Sequence, residues 1–280
     1  MLSSAEPILG CRRDTSLNKL AKMQTKIRLY LWPHRLLFLG PGFDTEPHRH
    51  HAAQICVGLG GPIKLRTSDQ ATWQEAAEFF IRPDQLHQLD AGQSPTAILY
   101  LEAEGAEYRA YLDQAAIAPP QNIAAKNEFL NLLNRGGNCA EAERACRNLL
   151  GLPLMRAPVQ AFDMRITAAL EWLKSRISNS IRIADVAKAA RLSESHLAHL
   201  FSEQIGVPLR RYILWLRLRA AVEGAAAGAS LTDAAHAAGF SDSAHLSRSF
   251  KETFGVTPSF LFQQRELLDI TIFEQRATPD

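Results

Sequence analysis

Apolar residues recur with one spacing twice in the last third of the chain. In 183–207, Val186, Ala187 and Ala190 mark the inner stripe of a short helix. Leu192 closes a turn, and Leu197, Leu200 and Phe201 then follow the i, i+3, i+4 rule of a second helix. In 231–256 the pattern returns. Asp185 aligns with Asp233, Ser193 with Ser241 and Ser195 with Ser243; one inserted residue later, His196 aligns with His245, Leu197 with Leu246, Phe201 with Phe250 and Gly206 with Gly255. Ser193 and Ser241 stand where an N-cap satisfies free N–H groups, and Gly206 and Gly255 stand where a helix ends. Each copy predicts helix, tight turn, helix. The second helix of the first copy exposes Ser195, Ala198, His199 and Ser202; that of the second exposes Ser243, Ala244, Ser247, Arg248 and Lys251.

Between the copies, 208–227 reads as one long spacer helix with Tyr212, Ile213, Leu216, Leu218, Ala220 and Val222. Ahead of them, Phe162, Ile166, Ala169, Leu170, Trp172 and Leu173 predict a further amphipathic helix. A helix-turn-helix places its second helix in the DNA major groove, and two copies on one chain can read two groove segments without a dimer. The stretch from about 163 to 264 resembles the AraC/XylS family of bacterial transcription regulators. The resemblance is carried most strongly by 237–258, Ala-Ala-Gly-Phe-Ser-Asp-Ser-Ala-His-Leu-Ser-Arg-Ser-Phe-Lys-Glu-Thr-Phe-Gly-Val-Thr-Pro, with Arg217, Leu218 and Ala221 on the spacer. The chain departs from the family at 259–262, Ser-Phe-Leu-Phe, where Tyr-Arg is frequent, and at His199, where Arg is common. The resemblance implies an all-α domain with double-stranded DNA as partner, the two exposed faces as readers and, for an activator, RNA polymerase as a further partner.

From 26 to 102 the period changes. Short apolar runs at 27–31, 36–39, 54–59, 63–66, 78–81 and 97–101 predict strands, separated by Pro-, Gly- and Asp-rich turns. So many short strands suggest a β-barrel or jelly roll. Helical patterns follow at 111–112, 128–133 and 140–150. Leu130 and Leu133 share one stripe and Ala142, Ala145 and Leu149 another, which predicts a homodimer that buries them. Within the strand region, His48 and His50 share a face by the period-two rule, with Gln54 just beyond and His87 after a Pro turn. This resembles the cupin fold, with Gln54 in place of the usual acid. The resemblance implies either a divalent metal (Ni, Co, Fe, Mn or Zn, all suited to imidazole) or a small organic effector. His51 falls on the opposite face and His34 is an outlying candidate. A metal-dependent cupin enzyme, an oxygenase or isomerase, is the alternative. The missing Glu and the absence of an evident base beside the histidines favour a sensor without catalytic activity.

The fold class expected is α+β: a cupin-like barrel, then helices, then an all-α domain with two helix-turn-helix units. The expected boundaries are a disordered 1–22, a sensor barrel 23–110, a helical dimerisation region 111–159, a DNA-binding domain 160–265 and an acidic tail 266–280. Charge follows this division: 160–265 carries 13 Lys/Arg against 9 Asp/Glu, whereas 266–280 carries 1 against 4. The basic excess is where a polyanion would bind. Cysteines at 11, 56, 139 and 146 have no CxxC spacing, which predicts a reducing compartment and no zinc finger. No run is long and apolar enough to span a membrane, so a bacterial cytoplasmic protein is expected.

Overall fold

The structure, a computed structural model, describes residues 26–68, 71–115, 123–152, 161–177, 181–262 and 265–273. The expectation for 1–22 lies outside them. Nine strands form two sheets among these residues: β1 (Ile27–Trp32), β2 (Arg35–Gly40), β3 (Ala53–Gly58), β4 (Ile63–Arg66), β5 (Gln74–Ala76), β6 (Glu78–Ile81), β7 (Gln88–Asp90), β8 (Thr96–Leu101) and β9 (Leu268–Ile272). The larger sheet has the order β6-β3-β8-β2-β1-β9 and the smaller β5-β4-β7. All pairings are antiparallel except β1 with β9, which is parallel.

β1, β2, β3 and β8 are near-continuous apolar runs because both faces of the larger sheet are covered. Leu37, Leu39, Ile55, Val57, Leu99 and Leu101 pack on one side with the helices that follow the strands. Phe38, Cys56, Ile98 and Tyr100 pack on the other, in one core with the smaller sheet and the C-terminal helices.

The sheets are not closed into a barrel, which corrects that expectation. β6 and β9 are the two edges of the larger sheet. The smaller sheet meets the 44–48 segment through the isolated bridges Asp44↔Asp90 and His48↔His87 and through hydrogen bonds of Thr45 to Gln88 and Leu89, without a continuous strand pairing. The edge of β1 that closure would use is taken by β9, which returns from the far end of the chain. Arg28 pairs with Asp269, and the Phe273 ring lies 4.7 Å from that of Trp32. The 266–280 stretch is thus more than a tail: 268–272 completes the N-terminal sheet.

Ten helices are described. α1 (Ala106–Ala115), α2 (Ile123–Arg135) and α3 (Cys139–Leu150) follow β8. α3 starts with a capping box between Asn138 and Glu141 and ends at Gly151 in the left-handed region. Leu133, Ala142, Ala145 and Leu149 are buried against the larger sheet and Leu130 packs beside them. The stripe on which a homodimer was expected is therefore already covered within one chain. That removes the reason for expecting it.

The remaining helices are α4 (Met164–Ser175), α5 (Ile183–Ala189), α6 (Glu194–Ile205), α7 (Leu209–Ala226), α8 (Leu231–Ala237), α9 (Ser243–Phe254) and α10 (Pro258–Phe262), followed by a 3-10 turn at Arg265–Leu267. α5–α6 and α8–α9 are the two repeated units, and α7 is the spacer. Val186, Ala187 and Ala190 are buried in the first unit and Ala234, Ala235 and Ala238 in the second. Side chains this small let the paired helices cross closely. Among the described residues no helix is long and apolar enough to cross a membrane.

Candidate functional site

The second helix of each repeat is fixed at both ends. The Ser193 hydroxyl accepts from the His196 N–H at 3.3 Å and starts α6. In α9 the cap is Asp242, whose carboxylate accepts from the His245 N–H at 2.7 Å. This corrects the assignment of that role to Ser241, whose hydroxyl instead bonds Asp242 at 3.0 Å. The His245 N–H, with the Ser241 hydroxyl, holds the Asp242 carboxyl below the usual carboxylate range. Gly206 and Gly255 end the helices at φ 83° and 71°. Leu197 and Phe201, and Leu246 and Phe250, are buried.

The predicted readers fall on the opposite faces. Ser195, Ala198 and His199 are exposed and Ser202 is half-buried; Ala244 and Arg248 are exposed, and Ser243, Ser247 and Lys251 half-buried. The first face thus carries hydroxyls, a methyl and an imidazole, and the second adds a guanidinium. Lys251 is engaged: its Nζ lies 2.7 Å from Glu46 Oε1.

The N-terminal histidines converge. His48 and His87 are directly opposed across an antiparallel bridge, each N–H donating to the other's carbonyl at 2.9 Å. Opposed residues send their side chains to one face, and these two rings lie 4.1 Å apart. The His50 ring is 5.7 Å from His48 and 5.1 Å from His87. One ligand atom from each residue lies within 4.8 Å of the others. All three rings are oriented alike. Nδ1 of His48, His50 and His87 sits 2.8, 2.7 and 2.9 Å from the carbonyls of Glu46, Ala52 and Gln85. A carbonyl only accepts, so each Nδ1 carries the proton and each Nε2 presents a lone pair. Gln54 Oε1 completes the group, 2.7 Å from His50 Nε2 and 3.3 Å from His87 Nε2. Behind it, Gln54 Nε2 lies 2.8 Å from Cys56 Sγ.

Burial fixes the charge of this group. Desolvation lowers His48 to about 3, with the neighbouring His50 adding to the effect, and lowers His50 to about 4. His87 is lowered well below the usual imidazole range by burial and by His48 and His50. The three rings are therefore neutral at neutral pH. Burial also pushes the Cys56 thiol up to about 12 and the nearby Tyr100 phenol upward. Neither is poised as a base near neutrality.

His51 and His34 stand outside the group. His51 is buried with Nε2 2.8 Å from Glu104 Oε2, and His34 Nδ1 is 3.5 Å from Glu102 Oε2. These two acids anchor the spacer helix and its neighbour. Glu102 Oε1 accepts from Trp215 Nε1 at 3.2 Å and from Arg219 at 3.0 Å, and Lys174 Nζ is 3.5 Å from Glu104 Oε1. Burial works to raise Glu104, yet the His51 contact and Lys174 hold it low. Sequence reasoning found no role for Glu46, Glu102 or Glu104. Each meets partners far along the chain, and no local pattern announces that.

A family model described as a helix-turn-helix domain matches 186–264. The HTH-type transcriptional activator RhaS of Pectobacterium carotovorum subsp. carotovorum is 27% identical over 237 residues, covering 75% of this chain and 84% of that protein. The Msm operon regulatory protein of Streptococcus mutans serotype c is 32% identical over 90 residues, and the match spans 31% of this chain and 32% of that protein. The crystal structure of ToxT from Vibrio cholerae O395 shares the fold, at 15% identity and a TM-score of 0.51, over 84% of this chain and 95% of that one. Over 186–264, where the duplicated, doubly capped helix-turn-helix lies, the chain matches that domain family, and it is similar to these transcription regulators.

Proposed function

We propose that the chain is a sequence-specific DNA-binding transcription regulator whose DNA binding is controlled by a divalent transition metal held by His48, His50, His87 and Gln54. The observation that supports metal control is the alignment of three neutral imidazoles, each with Nδ1 tied to a carbonyl and Nε2 aimed inward. Imidazole Nε2 with a fixed second contact is the usual metal donor, suited to Ni, Co, Fe, Mn and Zn. Gln54 Oε1 adds a fourth lone pair to two imidazole lone pairs at 2.7 and 3.3 Å. Acceptors so placed repel unless a cation lies among them. The same amide turned end for end would donate to His50 and His87 and accept from Cys56. The group can then be satisfied without metal, and metal entry reorients one side chain.

The cupin likeness supports the donor set, although the sheets are open. An organic effector is the second reading. An apolar cavity of about 50 Å³ lies between the larger sheet and α9, lined by Phe38, Tyr100, Phe250, Phe254 and others. It has room for a few water-sized groups, so a larger effector would have to part the two regions. Neither Cys56 nor Tyr100 titrates in the range a general base needs, which favours sensing over turnover. Double-stranded DNA is the macromolecular partner, with RNA polymerase joining if the regulator activates, in the cytoplasm. One chain presents both recognition helices, so a monomer suffices for two groove segments.

The test is metal analysis of the full chain purified without chelator, with DNase footprints before and after chelation. About one divalent ion per chain and a footprint that changes on chelation are expected, and His87→Ala should remove both. A metal-free protein indifferent to added Ni, Co and Zn would put the organic effector ahead. A protein that protects no DNA under any condition would overturn the regulator itself.

A further inference from the structure

The C-terminal end of α9 is docked on the segment that carries His48. The Glu46 N–H donates to the Gly255 carbonyl at 3.0 Å. The approach is so close that a Cβ on Gly255 would stand 2.7 Å from the Glu46 carbonyl oxygen and 2.7 Å from His48 Nδ1. Glycine is required there twice over, for its φ of 71° and for this contact. With the backbone so held, the Glu46 carboxylate reaches Lys251 Nζ at 2.7 Å. Lys251 lies on the face of α9 assigned to DNA, on the same stripe as Ser247 and Arg248. We infer that Glu46 is an internal surrogate for a DNA phosphate, occupying Lys251 and holding the second recognition helix out of full engagement with the duplex.

The inference rests on the DNA-binding reading above. An oxyanion on a short tether offers Lys251 what a phosphate oxygen would offer, a charge-assisted contact with an ammonium donor. The pair is open to competition: the two side chains are 64% and 44% exposed. An exposed ion pair is individually weak, so a polyanion can displace it, while the backbone bond to Gly255 keeps the surrogate at hand. Its position is also tied to the proposed metal group, because the carbonyl of the same Glu46 holds His48 Nδ1. Whatever shifts the His48 ring acts on the residue that blocks Lys251.

The experiment measures binding of the full chain to a random-sequence duplex by fluorescence anisotropy across a salt series, for the wild type, Glu46→Gln, Lys251→Gln and the double variant. Glu46→Gln should bind about two- to five-fold tighter, the scale of one exposed ion pair. Its plot of log affinity against log salt should steepen by about 0.9, the signature of one more neutralised phosphate. Lys251→Gln alone should change little, because that amine is already occupied, and in the double variant the gain should vanish. A Glu46→Gln variant with wild-type affinity and slope would overturn the inference. So would a gain that survives in the double variant, which would reveal only the loss of a negative charge. Because both outcomes require that the wild type binds DNA, they leave the regulator reading intact. If neither the wild type nor Glu46→Gln binds duplex at low salt, that reading falls and the inference with it.

Discussion

His48, His50 and His87 are 2%, 1% and 1% exposed between the N-terminal sheets, whereas Ser195, Ala198, His199 and Arg248 stand in solvent on two short helices. The first group is assembled from two segments that meet at the His48↔His87 bridge and gains its character from desolvation. The second is assembled by helical periodicity and gains its character from what is left on the outer face. A buried group can be held neutral and pre-aimed, and its occupant must be small. An exposed face must meet a large, charged partner, and its side chains remain hydrated until that partner arrives. The two regions should accordingly answer differently to protons, metal, substitution and salt.

The largest effect should come from protons. The folded-state values of His48 and His50, about 3 and about 4, lie below the usual 6.5. As pH falls, the unfolded chain therefore takes up protons before the folded one does. The stability these residues contribute is complete above about pH 6.5 and drains away between there and about pH 4 for His50 and about pH 3 for His48. For His50 alone the loss is on the order of 3 kcal/mol, at 1.36 kcal/mol per pH unit. Urea unfolding at pH 7 and 4.5 should show a fall of this size or more, and His50→Gln should reduce it while the share of His48 remains. An unfolding free energy that is flat across this interval would mean that the rings are solvated.

Metal comes next. Ligation usually weakens as imidazoles protonate near pH 6.5, which is what the sequence alone predicts for this group. The depressed values move that limit down toward pH 4. Ni²⁺ titrated calorimetrically at pH 7.5, 6.0 and 5.0 should therefore bind with nearly constant affinity, and at a hundred times its Kd should add about 2.7 kcal/mol to stability. Affinity that collapses between pH 7 and 6 would break the contrast between the two regions, since it would give the buried rings the behaviour of exposed ones.

Substitution of Arg248 should act on the other region alone. The Arg248 guanidinium can make a bidentate contact with guanine, worth about 1–3 kcal/mol of discrimination. Arg248→Ala should relax selectivity at one base pair of a site selected with the wild type, while leaving unfolding and Ni²⁺ binding unchanged. Equal affinity and selectivity in the variant would show that α9 is read through its hydroxyls or not at all.

What the sequence made visible follows the same division. The repeat was legible because every signal in it is local: alanine stripes, caps and terminal glycines within about 25 residues of one another. Only the cap of α9 was misplaced, onto Ser241, because two residues with capping chemistry stand side by side. Six strands, β1 to β4, β6 and β8, were legible as short apolar runs. β5 and β7 were missed because they are three residues long, and β5 is polar. β9 does alternate, Leu-Asp-Ile-Thr-Ile, but its partner lies at the opposite end of the chain, so charge alone suggested a tail. The leucine stripe of α2 and α3 was visible and its cover was not, because periodicity says that a face is buried and never against what. The histidines could be gathered by motif, whereas the hold of Glu46 on Lys251 follows only from how two distant segments dock.

The smallest effect, about 1 kcal/mol, separates the two recognition helices from each other. Ser193 caps α6 with a neutral hydroxyl at 3.3 Å, and Asp242 caps α9 with a carboxylate at 2.7 Å. Removing a cap typically costs about 0.5–2 kcal/mol, so Ser193→Ala and Asp242→Ala should both lower stability on that scale. Asparagine caps as well as aspartate does, so Asp242→Asn should leave stability nearly unchanged while removing a negative charge from the end of a helix that faces a polyanion. DNA affinity should then rise slightly and the salt dependence should shift with it, and no such gain should follow from Ser193→Asn, where no charge is lost. A carboxylate at this position strengthens the helix through its free N–H groups and partial positive charge, while its own charge opposes the approach of phosphate. If Asp242→Asn weakens DNA binding, the carboxylate instead serves recognition, as an acceptor for a cytosine amine in the manner open to acidic side chains in the major groove. Binding to duplexes with and without G·C at the facing position would tell the two roles apart.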